Sequence, residues 1–149
     1  QHVKPHGAMY NQAVNDKELA NSICEAVLEV DPAMVLVALS GSRWADVAEQ
    51  RGLRVAREIF ADRALNPDGT LVSRSSPEAV ILDVDEVAER SLSMVTRGRA
   101  MAINGDEIEV QADSLCIHGD TPGAVEMAST VRRKLEEAGA TIVPLGQLV

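Results

Sequence analysis

The protein has 149 residues, of which 46% are hydrophobic, a length and composition typical of one domain with a buried core. Lys and Arg number 14 and Asp and Glu number 23, and this net charge of -9 argues against a nucleic-acid binder. No apolar run approaches the roughly 20 residues that a membrane span requires. The two cysteines, Cys24 and Cys116, have neither the spacing of a zinc site nor that of a disulfide framework. We therefore expect a single cytoplasmic domain over residues 1–149.

Strands and helices alternate in the first half of the chain. Apolar residues at helical spacing predict helices, and the continuous apolar run 34–39 is typical of a parallel strand that is buried on both faces. The predicted elements are, in chain order, a short strand ending at Val3, a loop through Asn11, a helix over about 16–29 capped by Asn15 or Asp16, the strand 34–39, a short helix to Arg51 and a strand over 53–59.

The second half continues the alternation after a turn-rich loop over 60–76. Asn104-Gly105 between two short alternating runs indicates a hairpin within 101–110. The other predicted elements are a helix over about 84–97 capped by Asp83, a strand over 114–117, a helix that begins with Thr121 as cap and Pro122 as first residue, and a strand over 141–143. That last helix buries a predicted stripe of Val125, Ala128, Val131, Leu135 and Ala138. The pattern favours an α/β fold with mostly parallel strands.

In α/β proteins, functional groups collect at the carboxyl ends of the strands. Reactive side chains stand at four such predicted ends: Lys4 and His6, then Ser40 and Ser42, then Glu58, Asp62 and Arg63, then His118, Asp120 and Thr121. Structural interpretations remain open for several of them. A histidine could bind loop carbonyls, Asp62-Arg63 could be a structural ion pair, and the serines could form a turn and a helix cap. Glu58 is harder to explain in that way, because a carboxylate closing an apolar strand needs a partner or a task.

These side chains suit a small anionic substrate. Arg63 could bind a carboxylate with two parallel hydrogen bonds, and Lys4 could place a positive charge on a carboxylate or phosphate. His118 with Asp120, or His6, could move protons near neutral pH. The histidines and acids could instead hold a divalent metal, and this interpretation ranks second because no clustered ligand spacing supports it. Neither glycine-rich nucleotide motif is present.

Four segments of the chain resemble the LamB/YcsF family, whose members form one subunit, designated A, of bacterial 5-oxoprolinase. They are residues 2–11 (HVKPHGAMYN), 58–63 (EIFADR), 68–74 (DGTLVSR) and 116–125 (CIHGDTPGAV), in the family's order. The resemblance spans nearly the whole chain, and the first and last segments are long and specific.

The resemblance implies part of a seven-stranded β/α barrel of the polysaccharide-deacetylase-like type. It also implies ATP-dependent opening of 5-oxoproline (pyroglutamate) to glutamate, with Mg²⁺ accompanying ATP and with partner subunits B and C. Carried over to this chain, the residues that line the site are Lys4, His6, Asp62, Arg63, His118 and Asp120, to which we add Glu58 as a substrate-binding residue. The inferred roles are substrate binding by Lys4, Glu58 and Arg63 and catalysis by His6, Asp62, His118 and Asp120.

Two loop positions and the start of the family pattern differ here. Leu65 replaces a frequent aromatic residue, and residues 76–79 replace a Gly-Ala pair, which concerns the shape of the pocket. The family's opening strands are not in the sequence, so we expect an incomplete barrel that is inactive alone. The alternatives are a metal-dependent deacetylase-like hydrolase and a non-catalytic subunit that binds a small acid, and a homo-oligomer is left open.

Overall fold

A computed structural model of the protein describes residues 1–148. Helices and strands alternate along most of it. The helices are Ala8–Ala13 (α1), Lys17–Val30 (α2), Arg43–Gln50 (α3), Val84–Arg97 (α4) and Ala124–Glu137 (α5), with a 3₁₀ turn at Leu145–Gln147. The strands are His2–Val3 (β1), Val35–Leu39 (β2), Arg54–Phe60 (β3), Arg99–Met101 (β4), Glu107–Glu109 (β5) and Ser114–Cys116 (β6).

The chain packs as two compact units. Unit 1 contains residues 1–58 together with the chain from Val143 onward, and unit 2 contains residues 59–142. Strand β3 crosses from one unit into the other at its last two residues. That residues 1–149 act as one domain stays a prediction.

Parallel strands form the centre of unit 1. Strand β2 pairs with β1 on one side and with β3 on the other, both in parallel, and its register with β3 runs from Val35↔Arg54 to Leu39↔Glu58. Every residue of β2 is buried, as the continuous apolar run predicts. The strand order of the sheet is β1-β2-β3-β6. The expected α/β class with mostly parallel strands is confirmed.

Two capped helices accompany these strands in unit 1. The Asp16 carboxylate accepts the backbone N–H groups of Glu18 and Leu19, which fixes the start of α2. The Ser42 hydroxyl accepts the N–H of Ala45 at the start of α3, so the serine-glycine-serine turn does contain a helix cap. Both caps occupy N–H groups that no helical carbonyl could bind.

Helices α4 and α5 supply most of the core of unit 2. Asp83 caps α4 by accepting the N–H of Glu86, and Gly98 ends the helix in the left-handed conformation. The core joins buried side chains of the two helices to the residue that follows β3, namely Val87, Ala88, Met127, Val131 and Leu135 around Ala61. This packing places α4 directly beside the end of β3.

The hairpin prediction is confirmed. Strands β4 and β5 pair in antiparallel fashion, with Ala100 opposite Ile108. Asn104 and Gly105 lie in the connection, where Gly105 has a φ of +88°, a conformation that favours glycine.

Two predicted elements at the ends of the chain are wrong. The loop predicted through Asn11 contains α1, which buries Tyr10 and Ala13. Burial of these two side chains on one face favours a helical turn that the sequence alone gives little reason to expect. At the other end, residues 141–143 form no strand.

The start and the buried face of α5 also differ from the prediction. The helix begins at Ala124, and no side chain caps it, because the preceding residue is Gly123. The Thr121 hydroxyl donates to Asp62. The buried face of α5 consists of Met127, Val131 and Leu135, whereas Val125, Ala128 and Ala138 are exposed. Since Val125 lies two residues from Met127, it projects from nearly the opposite side of the helix.

Candidate functional site

The side chain of Asp62 is the centre of a hydrogen-bonded cluster in unit 2. It lies two residues after the end of β3 and is fully buried. Its Oδ2 accepts the backbone N–H of His118 at 3.1 Å and the Thr121 hydroxyl at 2.7 Å. The imidazole Nδ1 of His118 lies 3.0 Å from Oδ1 and 3.1 Å from Oδ2. Three donors thus converge on one buried carboxylate.

Burial and hydrogen bonding have opposite effects on the pKa of Asp62. Burial raises that pKa by removing water from the carboxylate. Hydrogen bonds from the His118 side chain, the Thr121 hydroxyl and the His118 backbone together outweigh burial, so the pKa of Asp62 lies below its ordinary value. Asp62 is therefore an anion at neutral pH.

An ionised Asp62 determines which nitrogen of His118 carries the hydrogen. A carboxylate can only accept, so Nδ1 must be the donor, and Nε2 of the neutral ring is the nitrogen able to take a proton. The Phe60 ring stacks on the imidazole with centroids 5.4 Å apart and planes 21° from parallel. The side chain of His118 is 23% exposed, so the ring is held on one side and accessible to solvent. Such an arrangement suits a general base that is oriented by a buried acid.

Asp120, which the sequence pairs with His118, has a different partner. Its carboxylate accepts a hydrogen bond from Arg74 at 3.3 Å, and its side chain is 71% exposed. Its own backbone hydrogen bond and the bond from Arg74 lower the pKa of Asp120. The carboxylate hydrogen-bonded to His118 is that of Asp62.

Arg63 is buried and holds the loop that follows β3. Its Nε donates to the carbonyl of Ala79 at 3.0 Å, and its Nη2 donates to the carbonyl of Val72 at 2.6 Å. Burial lowers the pKa of Arg63. Two of the guanidinium nitrogens are thus committed to backbone carbonyls, and the predicted contact of Arg63 with a substrate carboxylate stays a prediction.

A second cluster of polar side chains lies in unit 1 around Glu58. This carboxylate is only 3% exposed. Its Oε1 lies 2.6 Å from the Lys4 ammonium, and its Oε2 accepts the Tyr10 hydroxyl at 3.0 Å. The Lys4 ammonium also lies 5.8 Å from the centroid of the Tyr10 ring. The partner that the sequence argument required for Glu58 is therefore the pair of Lys4 and Tyr10.

Sequence reasoning misses Tyr10 and misjudges Thr121. Tyr10 sits in the segment predicted as a loop, although it belongs to the long motif at residues 2–11. Its ring packs edge-on against Trp44 with centroids 5.3 Å apart, which orients the hydroxyl toward Glu58. In the sequence, Thr121 is fully explained as the cap of the last helix, so nothing there indicates that its hydroxyl bonds to Asp62.

The structure brings some of the predicted residues into direct contact. Asp62 bonds to His118 in unit 2, and Lys4 bonds to Glu58 in unit 1. His6 is exposed at the start of unit 1, and its catalytic role stays a prediction.

Residues 1–148 contain no group of three or more His, Cys, Asp or Glu side chains arranged to hold a metal ion. Both carboxylate oxygens of Asp62 are already used by hydrogen bonds.

Within residues 1–148, none of the helices is both long enough and apolar enough to cross a membrane.

Comparisons with known proteins agree with the motifs. The chain is 54% identical over 149 residues to the A-type subunit of 5-oxoprolinase from Thermococcus onnurineus and 53% identical to its counterpart from Pyrococcus horikoshii. All of this chain is covered in both cases, and it spans 58% of each relative's length. Among solved structures, a lactam utilization protein from Thermus thermophilus matches with a TM-score of 0.85 and 45% identity, covering 95% of this chain and 56% of that one. The family model of LamB/YcsF matches residues 1–149, and the chain therefore belongs to the LamB/YcsF family.

Proposed function

We propose that this chain forms part of the A-type subunit of an ATP-dependent 5-oxoprolinase, which opens 5-oxo-L-proline to L-glutamate. The observation that carries the proposal is the buried Asp62 carboxylate bonded to Nδ1 of His118. Opening a lactam requires a nucleophilic water, and a neutral imidazole oriented by a carboxylate is suited to activate one. Relatives at 53–54% identity carry the name of this component of the enzyme.

The proposed reaction begins with ATP. Phosphorylation of the lactam oxygen makes the ring carbon more electrophilic, and water then attacks that carbon and displaces the ring nitrogen. Nε2 of His118 takes the proton from water, and Asp62 stabilises the imidazolium that forms. The phosphoryl transfer releases ADP, and the departing ring nitrogen takes up a proton from the imidazolium. The acyl phosphate that remains is hydrolysed by a second water to glutamate and phosphate, so ATP, 5-oxoproline and two waters give ADP, phosphate and glutamate.

The cluster around Glu58 supplies charge in this proposal. The Lys4 ammonium is held by Glu58 and is one-third exposed, and its proposed role is to bind developing phosphate charge. Tyr10 stabilises the same carboxylate through a hydrogen bond from its hydroxyl. Arg63 would meet a substrate carboxylate through Nη1, because Nε and Nη2 donate to the loop. Roles for His6 and Asp120 near the substrate belong to the proposal as well.

The whole enzyme is proposed to include subunits B and C and to use ATP with Mg²⁺ in the cytoplasm. The chain spans 58% of the length of the curated relatives above. We therefore expect turnover only from the full-length protein in complex with its partners.

The test is 5-oxoproline-dependent ATP hydrolysis by the full-length protein with its partner subunits. Asp62→Asn and His118→Gln should each lower kcat by about 10²-fold or more, a size typical of a lost general base. Arg97→Lys, an exposed change on α4, serves as the matched control and should keep wild-type activity. Full activity in both site variants would refute the assignment of the base.

Two other outcomes would replace the proposal. Hydrolysis that needs a stoichiometric, tightly held divalent ion and no ATP would identify a deacetylase-like hydrolase. Binding of 5-oxoproline without turnover in any complex would identify a subunit that binds a small acid.

A further inference from the structure

The guanidinium of Arg90 binds the backbone that carries Asp62. Arg90 lies in the second turn of α4, and its Nη1 contacts three carbonyl oxygens. The distances are 2.9 Å to Phe60, 2.6 Å to Ala61 and 2.9 Å to Arg63. All three carbonyls belong to the four residues 60–63, so a single side-chain nitrogen gathers the turn at the end of β3.

The remaining carbonyl of this turn is also bound. The oxygen of Asp62 accepts the N–H of Ile81 at 3.0 Å, and the N–H of Ala61 donates to Cys116 at 2.9 Å. The backbone on both sides of Asp62 is therefore fixed, with Arg90 providing three of these five contacts. A fixed backbone is what allows the carboxylate to meet the His118 ring at 3.0 Å.

Burying a cation at this point has a cost that its contacts offset. Burial lowers the pKa of Arg90 to about 10, while the charges of Glu86 and Asp62 favour the protonated form. Arg90 is thus still a cation at neutral pH, solvated by carbonyl dipoles rather than by water. An apolar side chain at this position would leave the three carbonyls without this donor.

We propose that Arg90 is a positioning residue, which holds the 60–63 turn so that Asp62 keeps His118 in the Nδ1–H tautomer. The effect on the tautomer follows from the contacts alone, and the effect on turnover rests on the proposed function. Arg90 acts through the backbone and through Asp62, and it touches no reacting group in this proposal.

The first test is nuclear magnetic resonance of the ¹⁵N-labelled full chain. The ring nitrogens of His118 are assigned by comparison with His118→Gln, and their shifts report which nitrogen carries the hydrogen. Arg90→Lys keeps the positive charge but lacks the rigid planar guanidinium that holds Nη1 in a fixed orientation toward the three carbonyls. We expect the wild type to show Nδ1–H and Arg90→Lys to move toward Nε2–H.

Two controls separate positioning from simple stability. Arg97→Lys makes the same substitution at an exposed site on the same helix. Met94→Ala weakens the buried face of that helix in a core cluster, formed with Ile59, Leu65 and Ala100, that contains none of residues 60–63. Both should keep the wild-type tautomer. An unchanged tautomer in Arg90→Lys, or an equal change in Met94→Ala, would overturn the proposal.

The second test is steady-state kinetics of the full-length protein with its partners. Displacing a catalytic group by about 1 Å can lower a rate by about 10²-fold. We expect Arg90→Lys to lower kcat and kcat/KM equally, by about 10-fold to 10²-fold, because only the transition state is affected. If the wild type shows no 5-oxoproline turnover, the proposed function fails, and the tautomer measurement still decides the role of Arg90.

If Arg90→Lys does not fold, the proposal can still be tested by a measurement on the wild-type protein. The bound Arg90 guanidinium should rotate slowly and exchange its Nη hydrogens with solvent more slowly than exposed Arg97. Equal exchange at Arg90 and Arg97 would show that the contacts to residues 60–63 do not persist, and it would overturn the proposal.

Discussion

At Asp62, three hydrogen bonds outweigh the effect of burial on one carboxylate. A buried acid without donors would take up a proton, and a neutral acid would leave the tautomer of His118 undetermined. The backbone N–H of His118 and the Thr121 hydroxyl therefore do more than fill space, because they keep Asp62 ionised. The ionisation of Asp62, and with it the tautomer of the candidate base, therefore depends on a backbone N–H and a hydroxyl that contact no substrate in the proposed reaction.

Replacing Thr121 by Val tests this dependence. The change keeps the shape of the side chain and removes the 2.7 Å hydrogen bond to Oδ2, so the pKa of Asp62 should rise. The free energy of unfolding should fall by about 1.5–3 kcal/mol, the range for a hydrogen bond to a charged group. Urea unfolding measures the loss, and Thr121→Ser, which keeps the hydroxyl, is the control. Equal stability of the Val and Ser variants would contradict the contribution of this bond.

The lowered pKa of Asp62 predicts loss of stability in acid. The folded pKa lies below the unfolded value of about 3.9, so the contribution of Asp62 is fully present above that value and is lost as the pH falls through the folded pKa. Unfolding free energies measured between about pH 6 and pH 2 should therefore fall more steeply in the wild type than in Asp62→Asn. Parallel curves for the two proteins would show that Asp62 titrates alike in both states.

At the scale of elements, the two aspartate caps follow local rules, whereas the buried face of a helix is selected by the elements that pack against it. Asp16 and Asp83 cap their helices as predicted, because the bond from a cap to the next N–H groups needs no distant residue. The predicted buried face of α5 is wrong at Val125, since either side of the helix offers apolar residues and only packing against α4 selects one. Helix propensity does not determine which face of α5 is buried.

Gly98 offers a test at this scale. It ends α4 with a φ of +64°, and a Cβ at this position would lie 3.1 Å from the carbonyl oxygen of Val110. Gly98→Ala should lower the free energy of unfolding by about 1–2 kcal/mol from the left-handed conformation alone, and by more because of this contact. Gly52→Ala is the matched control, with a φ of +82° and open space around its Cβ. Chemical denaturation should show the larger loss at Gly98, and equal losses would mean that the Val110 contact has no effect.

At the scale of the whole molecule, the polar clusters around Glu58 and Asp62 lie in different compact units. Each cluster pairs a buried carboxylate with a cation or an imidazole from a distant part of the sequence, 54 residues apart for Lys4 and Glu58 and 56 for Asp62 and His118. Both carboxylates belong to the segment 58–63, which begins in β3 and continues past its end. One short stretch of sequence thus supplies the acids of both units.

The proposed function leads to a prediction for the whole molecule, because the chain spans only 58% of the length of its relatives. The 149 residues on their own should hydrolyse no ATP in response to 5-oxoproline, whereas the full-length protein with its partners should do so. Coupled release of phosphate measures both samples at equal concentrations, with circular dichroism confirming that the shorter chain is folded. Turnover by the 149-residue chain alone would refute this expectation.

Much of the fold and part of the candidate site could be predicted from the residues. The apolar run at 34–39, the capping acids and the Asn-Gly pair each determine structure through neighbours in the chain, and all three predictions are confirmed. The four motif segments also identify the family, which the comparison over residues 1–149 confirms. Patterns of this kind are readable because their physical causes are local.

Only the tertiary structure decided which groups meet. In the sequence, Asp120 is two residues from His118 and is the obvious acid for it, but the structure bonds Asp62 to that ring and leaves Asp120 exposed beside Arg74. The hydrogen bonds from Tyr10 to Glu58 and from Arg90 to the backbone of residues 60–63 also join residues that are distant in the sequence. Such contacts depend on where packing brings the ends of strands and helices, and a buried carboxylate binds the donors that are near in space, whatever their distance along the chain.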